Sequence, residues 1–427
     1  MTTLKLSIPY GDGVLPFELP EANLLDVVRS GGTSGEERVP PAQRNAEEQA
    51  EIRRALREPI GAPRLSELAA TAKSAAIVVS DITRPCPSYE FLPALLAELS
   101  ALSPENITVL FALGGHRKHT HEERAQLVGL EVLQSGVRQL DLDTTECVPV
   151  GTTSRGTRLE VFKPYLDADL RICTGNIEYH YFAGFSGGAK ALVPGLCSHA
   201  TIRDNHSMML APTARAGMLE GNPVREDIDE AGGIVGVDFI FNVVLDEQKR
   251  VIRAVAGHFL EAHREGVRIY DERFDLRVDA VADVIIASPG GRPKDINLYQ
   301  AQKTLDNVGG AVRKGGAVIL VARCEEGFGQ TTFEEWMCGM GTPQVLVDRI
   351  QREFVLGGHK AAAIAGLLAV VDVFLVSEFP DDMVRSMCMQ PFACVDDAIA
   401  AAFARYGRDA QFLVVPHGNR VTAQHPA

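Results

Sequence analysis

The run Ala76-Ile77-Val78-Val79, followed at once by Ser80-Asp81-Ile82-Thr83-Arg84-Pro85-Cys86-Pro87, decides the fold class. An unbroken apolar run rich in β-branched residues suits a strand buried on both faces of a parallel sheet, and the polar, Pro-bearing segment after it reads as a loop at that strand's carboxyl end. The pattern recurs at residues 107–111, 170–173, 284–287, 318–321, 371–376 and 412–415. Helical patterns lie between these runs, for example at 91–102 and 122–133. Strands alternating with helices predict an α/β protein of two doubly wound, Rossmann-like domains with parallel sheets. Ligands of such sheets sit beyond the carboxyl ends of the strands, so the active site is expected in an interdomain cleft lined by these loops.

With 427 residues the chain exceeds what one core sustains. The expected division is an N-terminal domain, 1–272, and a C-terminal domain, 273–427, whose last residues are free to return to the first. The charged segment 265–281 reads as a helix or connector joining the two sheets, and the polar, Gly-rich stretch 31–51 as a surface loop leading into a helix. Apolar residues at 46% and charged residues at 23% describe an ordinary soluble protein. The net charge of −14, with no long basic run, argues against a nucleic-acid partner. Residues 1–10 lack the pattern of a signal peptide, and no stretch approaches the ~20 apolar residues of a membrane span. The reading is cytoplasmic, with no membrane partner. Eight cysteines without a C-x-x-C pair suit free, mostly buried thiols.

The loops carry the chemistry. In 80–87 the two prolines hold the chain extended and present Arg84, whose fork suits a carboxylate or phosphate; the alternative is a Pro-rich turn with a surface Asp81–Arg84 pair. Gly114-Gly115-His116-Arg117 places an imidazole at a strand's carboxyl end, where it can take a proton near neutrality, whereas His119 and His121 read as solvated. In 175–190, Ser186-Gly187-Gly188 reads as free backbone amides at a helix start, an anion site. This is not a Walker motif, because the glycines do not abut Lys190 and Ala191 stands where Ser or Thr is needed. Lys190 is left with a salt bridge, a phosphate contact or a covalent anchor as its role. His206, preceded by Asp204 and Asn205, is either a metal ligand oriented by a partner or a structural histidine. Gln300 and Lys303 are three apart, so on a helix they share one face toward the expected cleft.

Six strings in order, D-I-T-R-P-C-P, G-G-H-R, N-I-E-Y-H-Y-F-A-G-F-S-G-G-A-K, T-I-R-D-N-H, L-E-G-N-P-V-R-E-D and N-L-Y-Q-A-Q-K, resemble the lactate racemase family that carries a nickel-pincer nucleotide. They span residues 81–303. The resemblance implies a racemase or epimerase of a small 2-hydroxy acid working by proton-coupled hydride transfer. It makes Lys190 the covalent anchor of pyridinium-3,5-bisthiocarboxylic acid mononucleotide nickel, with His206 as the protein ligand of Ni. Soft sulfur plus imidazole suits Ni(II). It makes His116 and His180 the paired acid/base groups and has Arg84 and Lys303 bind the substrate carboxylate, with Gln300 and Tyr299 lining the site. Asp81, Thr83, Ser186, Gly187 and Gly188 become cofactor contacts, and Arg292 and Cys86 flank the pocket. The implied partners are the 2-hydroxy carboxylate and the cofactor-making enzymes: a carboxylase/hydrolase, a sulfur insertase and a nickel insertase. The rival enzyme is a nicotinamide-dependent 2-hydroxy acid dehydrogenase, for which no convincing G-x-G-x-x-G turn exists. The non-enzyme rival is a two-lobed binding protein for an anionic metabolite.

Overall fold

Two six-stranded sheets organise the chain, and the unbroken apolar runs form most of their strands. The computed structural model describes residues 2–28, 41–84, 86–246, 248–274, 281–353, 355 and 357–420. It divides into two units, Gly32–Arg273 and Met1–Gly31 with Phe274–Ala427. The chain opens with β1 (Thr3–Tyr10), β2 (Gly13–Pro20) and β3 (Leu24–Val27). The unit Gly32–Arg273 follows with β4 (Ala75–Ser80), β5 (Ile107–Ala112), β6 (Arg138–Asp141), β7 (Cys147–Thr152), β8 (Arg158–Phe162), β9 (Leu170–Asn176), β10 (Tyr179–His180), β11 (Gly184–Phe185), β12 (Phe239–Leu245) and β13 (Val251–Gly257). The chain ends with β14 (Ala282–Ala287), β15 (Val312–Val321), β16 (Asp372–Val376), β17 (Gln390–Phe392) and β18 (Phe412–Val415).

In the unit Gly32–Arg273 the strand order is β13-β12-β9-β4-β5-β6. Residues 75–79 of β4 are each at most 1% exposed, and burying a Val or Ile side chain contributes about 1.5–3 kcal/mol. Register lines up Ser80 with Ala112 and Val78 with Cys173, so the loops after β4, β5 and β9 leave the same edge side by side. One strand departs from the parallel expectation. β13 pairs antiparallel with β12 because only a short turn joins them, and a parallel return needs a crossover.

The other sheet, β17-β16-β15-β14-β18-β3, is parallel throughout. Here the division at 272 needs correcting at the N-terminus. The hairpin β1–β2 buries Ile8, Phe17 and Leu19 against Val284, Ile286, Phe374 and Phe412, and β3 pairs with β18. Residues 3–27 therefore fold with the C-terminal half, because the inward face of an alternating hairpin needs a sheet to cover it. β18 stays in this sheet rather than returning to the other unit, and 421–427 lie outside the described residues.

The helical patterns shift in detail. Of residues 91–102 only 91–98 fall on a helix, Ser88–Glu98, and 122–133 split into His121–Val128 and Leu130–Gln134 at Gly129, whose φ of 82° breaks the helix. The charged connector is helix Glu261–Phe274, with 275–280 outside the described residues. Much of the 31–51 stretch belongs to helix Pro41–Arg57, and 31–40 lie outside the described residues. All eight cysteines are free, but Cys338 and Cys388 are exposed and only Cys86, Cys173, Cys197 and Cys324 are buried. No helix among the described residues is long and apolar enough to cross a membrane.

Candidate active site

Asp81 directly follows β4 and has only 3% of its surface exposed. Its Oδ1 accepts the Thr83 N–H at 2.7 Å and the Thr83 hydroxyl, and its carbonyl accepts the Arg84 N–H at 3.1 Å. The loop is therefore a tight Asx turn rather than an extended arm, because a short carboxylate can bond its own backbone two residues on. Pro85 lies outside the described residues, and Arg84 is exposed. The second carboxylate oxygen, Oδ2, receives His116 Nδ1 at 2.9 Å. That bond puts the ring proton on Nδ1 and leaves Nε2 open, on a side chain 46% exposed. Burial would raise the Asp81 carboxyl, but the bonds from His116 and Thr83 and the nearby Arg84 charge outweigh it and hold the group below the usual carboxylate range. Gly114, at φ 56°, makes the turn out of β5 that brings His116 to this position.

His119 is not solvated, contrary to the sequence reading. Its side chain is 1% exposed, with Nδ1 2.7 Å from Asp141 Oδ1 and Nε2 accepting the Ile82 N–H at 3.2 Å. Both nitrogens are thus spent fastening the Asp81–Arg84 turn to the end of β6. Arg124 supplies the other partner of Asp141 at 2.5 Å. His121 is exposed, as expected.

The Gly-rich segment also departs from expectation. The Ser186 N–H is taken by the Glu178 carbonyl at 2.9 Å and the Gly188 N–H by Asn242 Oδ1 at 2.8 Å, so these amides are not free for an anion. The helix that follows, Gly188–Ala191, is a single 3₁₀ turn. The segment instead shapes the backbone around Lys190. Gly184 is indispensable: at φ 74° a Cβ there would lie 2.0 Å from the Met218 carbonyl oxygen. The fully buried Arg225 donates to the carbonyls of Ala183 at 3.3 Å and Phe185 at 2.6 Å and pairs with Asp229 at 3.3 Å. His263 bonds the Ser186 carbonyl through Nε2 at 2.8 Å. Burial first, then the charges of Arg84 and Arg225, push the Lys190 amine down to about 7 against the pull of Glu178 and Asp81.

His180 and His206 flank one ring. Phe182 stands edge-on to both, with centroids at 4.6 Å and 4.8 Å. The Ala183 N–H reaches His180 Nδ1 at 3.3 Å, which leaves the proton of a neutral ring on Nε2, the opposite tautomer to His116. His206 lies on helix His199–Ser207, capped by Ser198. The neighbouring Asn205 is fully buried and bonds Asp227 at 2.8 Å, and Asp227 also accepts from Thr153 and Thr157. Arg225, Asn242 and Asp227 were not singled out from sequence. Arg225 and Asp227 stand in the L-E-G-N-P-V-R-E-D string, where two charges on a helix capped by Asn222 were the available signal.

In the other unit Asn297 caps helix Leu298–Val308 by accepting the Gln300 N–H at 3.0 Å. Gln300 and Lys303 are exposed, and Tyr299 is half-buried against Phe333. Arg292 is engaged by Asp12 at 3.4 Å and Glu325 at 3.5 Å, and Cys86 is a buried thiol pushed up to about 12 by desolvation. Neither is a free group.

Comparison with known proteins matches residues 10–217 to the lactate racemase N-terminal domain and residues 278–423 to the lactate racemase C-terminal domain. The lactate racemase of Thermoanaerobacterium thermosaccharolyticum is 33% identical over 424 residues, 97% of this chain and 98% of that protein. The lactate racemase of Lactiplantibacillus plantarum is 32% identical over 426 residues, with the same coverage. The structure of the Thermoanaerobacterium thermosaccharolyticum apoprotein superposes with a TM-score of 0.87 at 31% identity, covering 99% of this chain and 100% of that one. A Thermotoga maritima protein at 18% identity and a TM-score of 0.61 shares the fold over 88% of this chain and 98% of its own.

Proposed function

Because this chain belongs to the lactate racemase family, we propose that it interconverts the two enantiomers of a small 2-hydroxy acid, lactate or a close relative, using a nickel-pincer nucleotide joined to Lys190. The observation that carries the reading is the Lys190 amine. Pushed down to about 7, it holds a substantial neutral, nucleophilic fraction near neutrality, as a covalent attachment point must. His206 offers one imidazole to nickel. When bound, the group supplies soft sulfur donors for the metal and a carbon that accepts the substrate's α-hydrogen with its electron pair.

The chain's own residues do the rest. Arg84 and Lys303 are the cations read as binding the substrate carboxylate, and Gln300 lines the site. His116, with its Nε2 lone pair open, takes the hydroxyl proton of one enantiomer. His180, whose Nε2 carries a proton, delivers one to the oxygen of the other. The unlike tautomers support a base and an acid that exchange roles with the direction of turnover. Loading requires cofactor-making enzymes, so a host that has them is the source of active protein.

Intact mass of protein from such a host should exceed the sequence mass by one mononucleotide adduct, and Lys190→Ala should remove it. Substrate deuterated at the α-carbon should be racemised in ordinary water with its label largely kept. An unmodified, fully active Lys190 protein, or washout of the label in step with racemisation, would end this reading.

A further inference from the structure

The unit that carries Gln300 and Lys303 buries a second lysine for which the reading above has no use. Lys360 stands near the start of helix Gly358–Leu368 and is 4% exposed. Its ammonium donates to the Tyr299 carbonyl oxygen at 2.6 Å and lies 3.9 Å from the centroid of the Tyr299 ring. Its partners are thus a carbonyl and a π face, and both belong to one residue. Phe333 meets the same ring edge-on at 5.5 Å, so Tyr299 is held by two elements at once. The close approach of Gly358–Leu368 depends on Gly358, where a Cβ would fall 2.6 Å from the Trp336 ring.

A buried ammonium is costly, and it persists where a specific arrangement needs it. We propose that Lys360 is a positioning residue: it clamps Tyr299 by ring and carbonyl and so sets the first turn of Leu298–Val308, from which Lys303 binds the substrate carboxylate. The proposal rests on the carboxylate-binding function read above for Lys303. Electrostatics support it. Burial first, and the Lys303 charge next, push the Lys360 amine down to about 7, with Asp306 partly opposing. The two lysines feel each other, so an anion arriving at Lys303 should ease the charge on Lys360. Cation–π contact with Tyr299 is the term that keeps the ammonium in place meanwhile.

The test uses holoenzyme variants Lys360→Met, Lys360→Arg and Lys303→Met, with sodium lactate as the probe. Lys360→Met should raise KM at least about tenfold while kcat stays within about threefold, because binding shared by ground and transition states is what is lost. Lys360→Arg, which keeps the cation, should recover most of that loss. In ¹⁵N-lysine NMR of the wild type, the Lys360 side chain should titrate at higher pH when lactate is present or when Lys303 is Met. An unchanged KM in a folded Lys360→Met protein overturns the proposal, as does a Lys360 resonance indifferent to both lactate and Lys303→Met. Should Lys360→Met fail to fold, Lys360→Arg and the wild-type NMR decide. An unchanged KM in Lys303→Met removes the function read for Lys303, whereas a raised KM there with none in Lys360→Met removes this proposal alone.

Discussion

Two aspartate–histidine pairs stand side by side at neighbouring strand ends, Asp81 with His116 and Asp141 with His119. They are chemically alike: each histidine offers Nδ1 to a buried carboxylate, at 2.9 Å and 2.7 Å. They differ in the second nitrogen. His119 gives Nε2 to the Ile82 amide and is 1% exposed, while the His116 side chain is 46% exposed with Nε2 open. The two rings are therefore told apart not by an orienting carboxylate but by the far nitrogen, committed in His119 and open in His116. The closed pair also serves the open one, because Ile82 follows Asp81 in the turn that His119 fastens.

The sharpest way to break this comparison is to exchange the fates of the two rings. His116→Ala should lower racemisation in both directions by roughly 10²–10⁴-fold, as for loss of a general acid/base. His119→Ala should leave the rate within about tenfold. Initial rates from each enantiomer check both, and a reversed ranking would show that the open nitrogen was misjudged.

Asp81→Asn sharpens the same point one step back from the chemistry. An amide can offer its donor group to Nδ1 and favour the wrong tautomer, so the rate should fall by roughly 10–10³-fold, less than for loss of the ring itself. The variant has a pH signature too. Asp81 has a depressed folded-state pKa, so its contribution to stability is present above the unfolded value near ~4 and is lost as pH falls through the folded value. Urea unfolding should find wild type ahead of Asp81→Asn at pH 7, with the gap closing under acid. A gap that widens on acidification would mean the carboxylate is not held by these bonds.

The strand skeleton was legible because β4, β5, β9, β14, β15, β16 and β18 each carry a short, mainly apolar run of the kind a buried sheet requires. β6 escaped notice because Arg138-Gln139-Leu140-Asp141 is a polar edge strand. The hairpin of residues 3–20 alternates on a period of two, a pattern that says one face is covered without saying by what. Strand ends pointed to the loops that carry Arg84, His116 and Lys190, whereas Asp81 entered only as the neighbour of Arg84 and through the family resemblance. Local sequence could not tell that Asn242 takes the Gly188 amide or that Arg225 holds the carbonyls of residues 183 and 185, because these partners lie 54, 42 and 40 residues away. His119 was misread for the same reason: Asp141 is 22 residues on, and only the sheet order β4-β5-β6 brings it near.

His119→Ala carries the smallest effect on rate and the most specific one on structure. It leaves the Ile82 N–H and one lone-pair face of Asp141 without their partner in a site that water enters poorly, which costs about 1–3 kcal/mol for a buried unsatisfied polar group. Arg124 still pairs with Asp141, so the cost should stay within that range rather than reach that of an isolated buried charge. The Asp81–Arg84 turn, freed at Ile82, should place Arg84 less well while Asp81 and His116 keep their bond. KM should therefore rise by a few-fold, roughly 2–10, with kcat nearly unchanged, the pattern of lost substrate binding rather than lost chemistry. Denaturant unfolding and the separate kinetic constants measure the two effects. A large fall in kcat at normal KM would mean that His119 takes part in proton transfer and that the closed pair is not closed in solution.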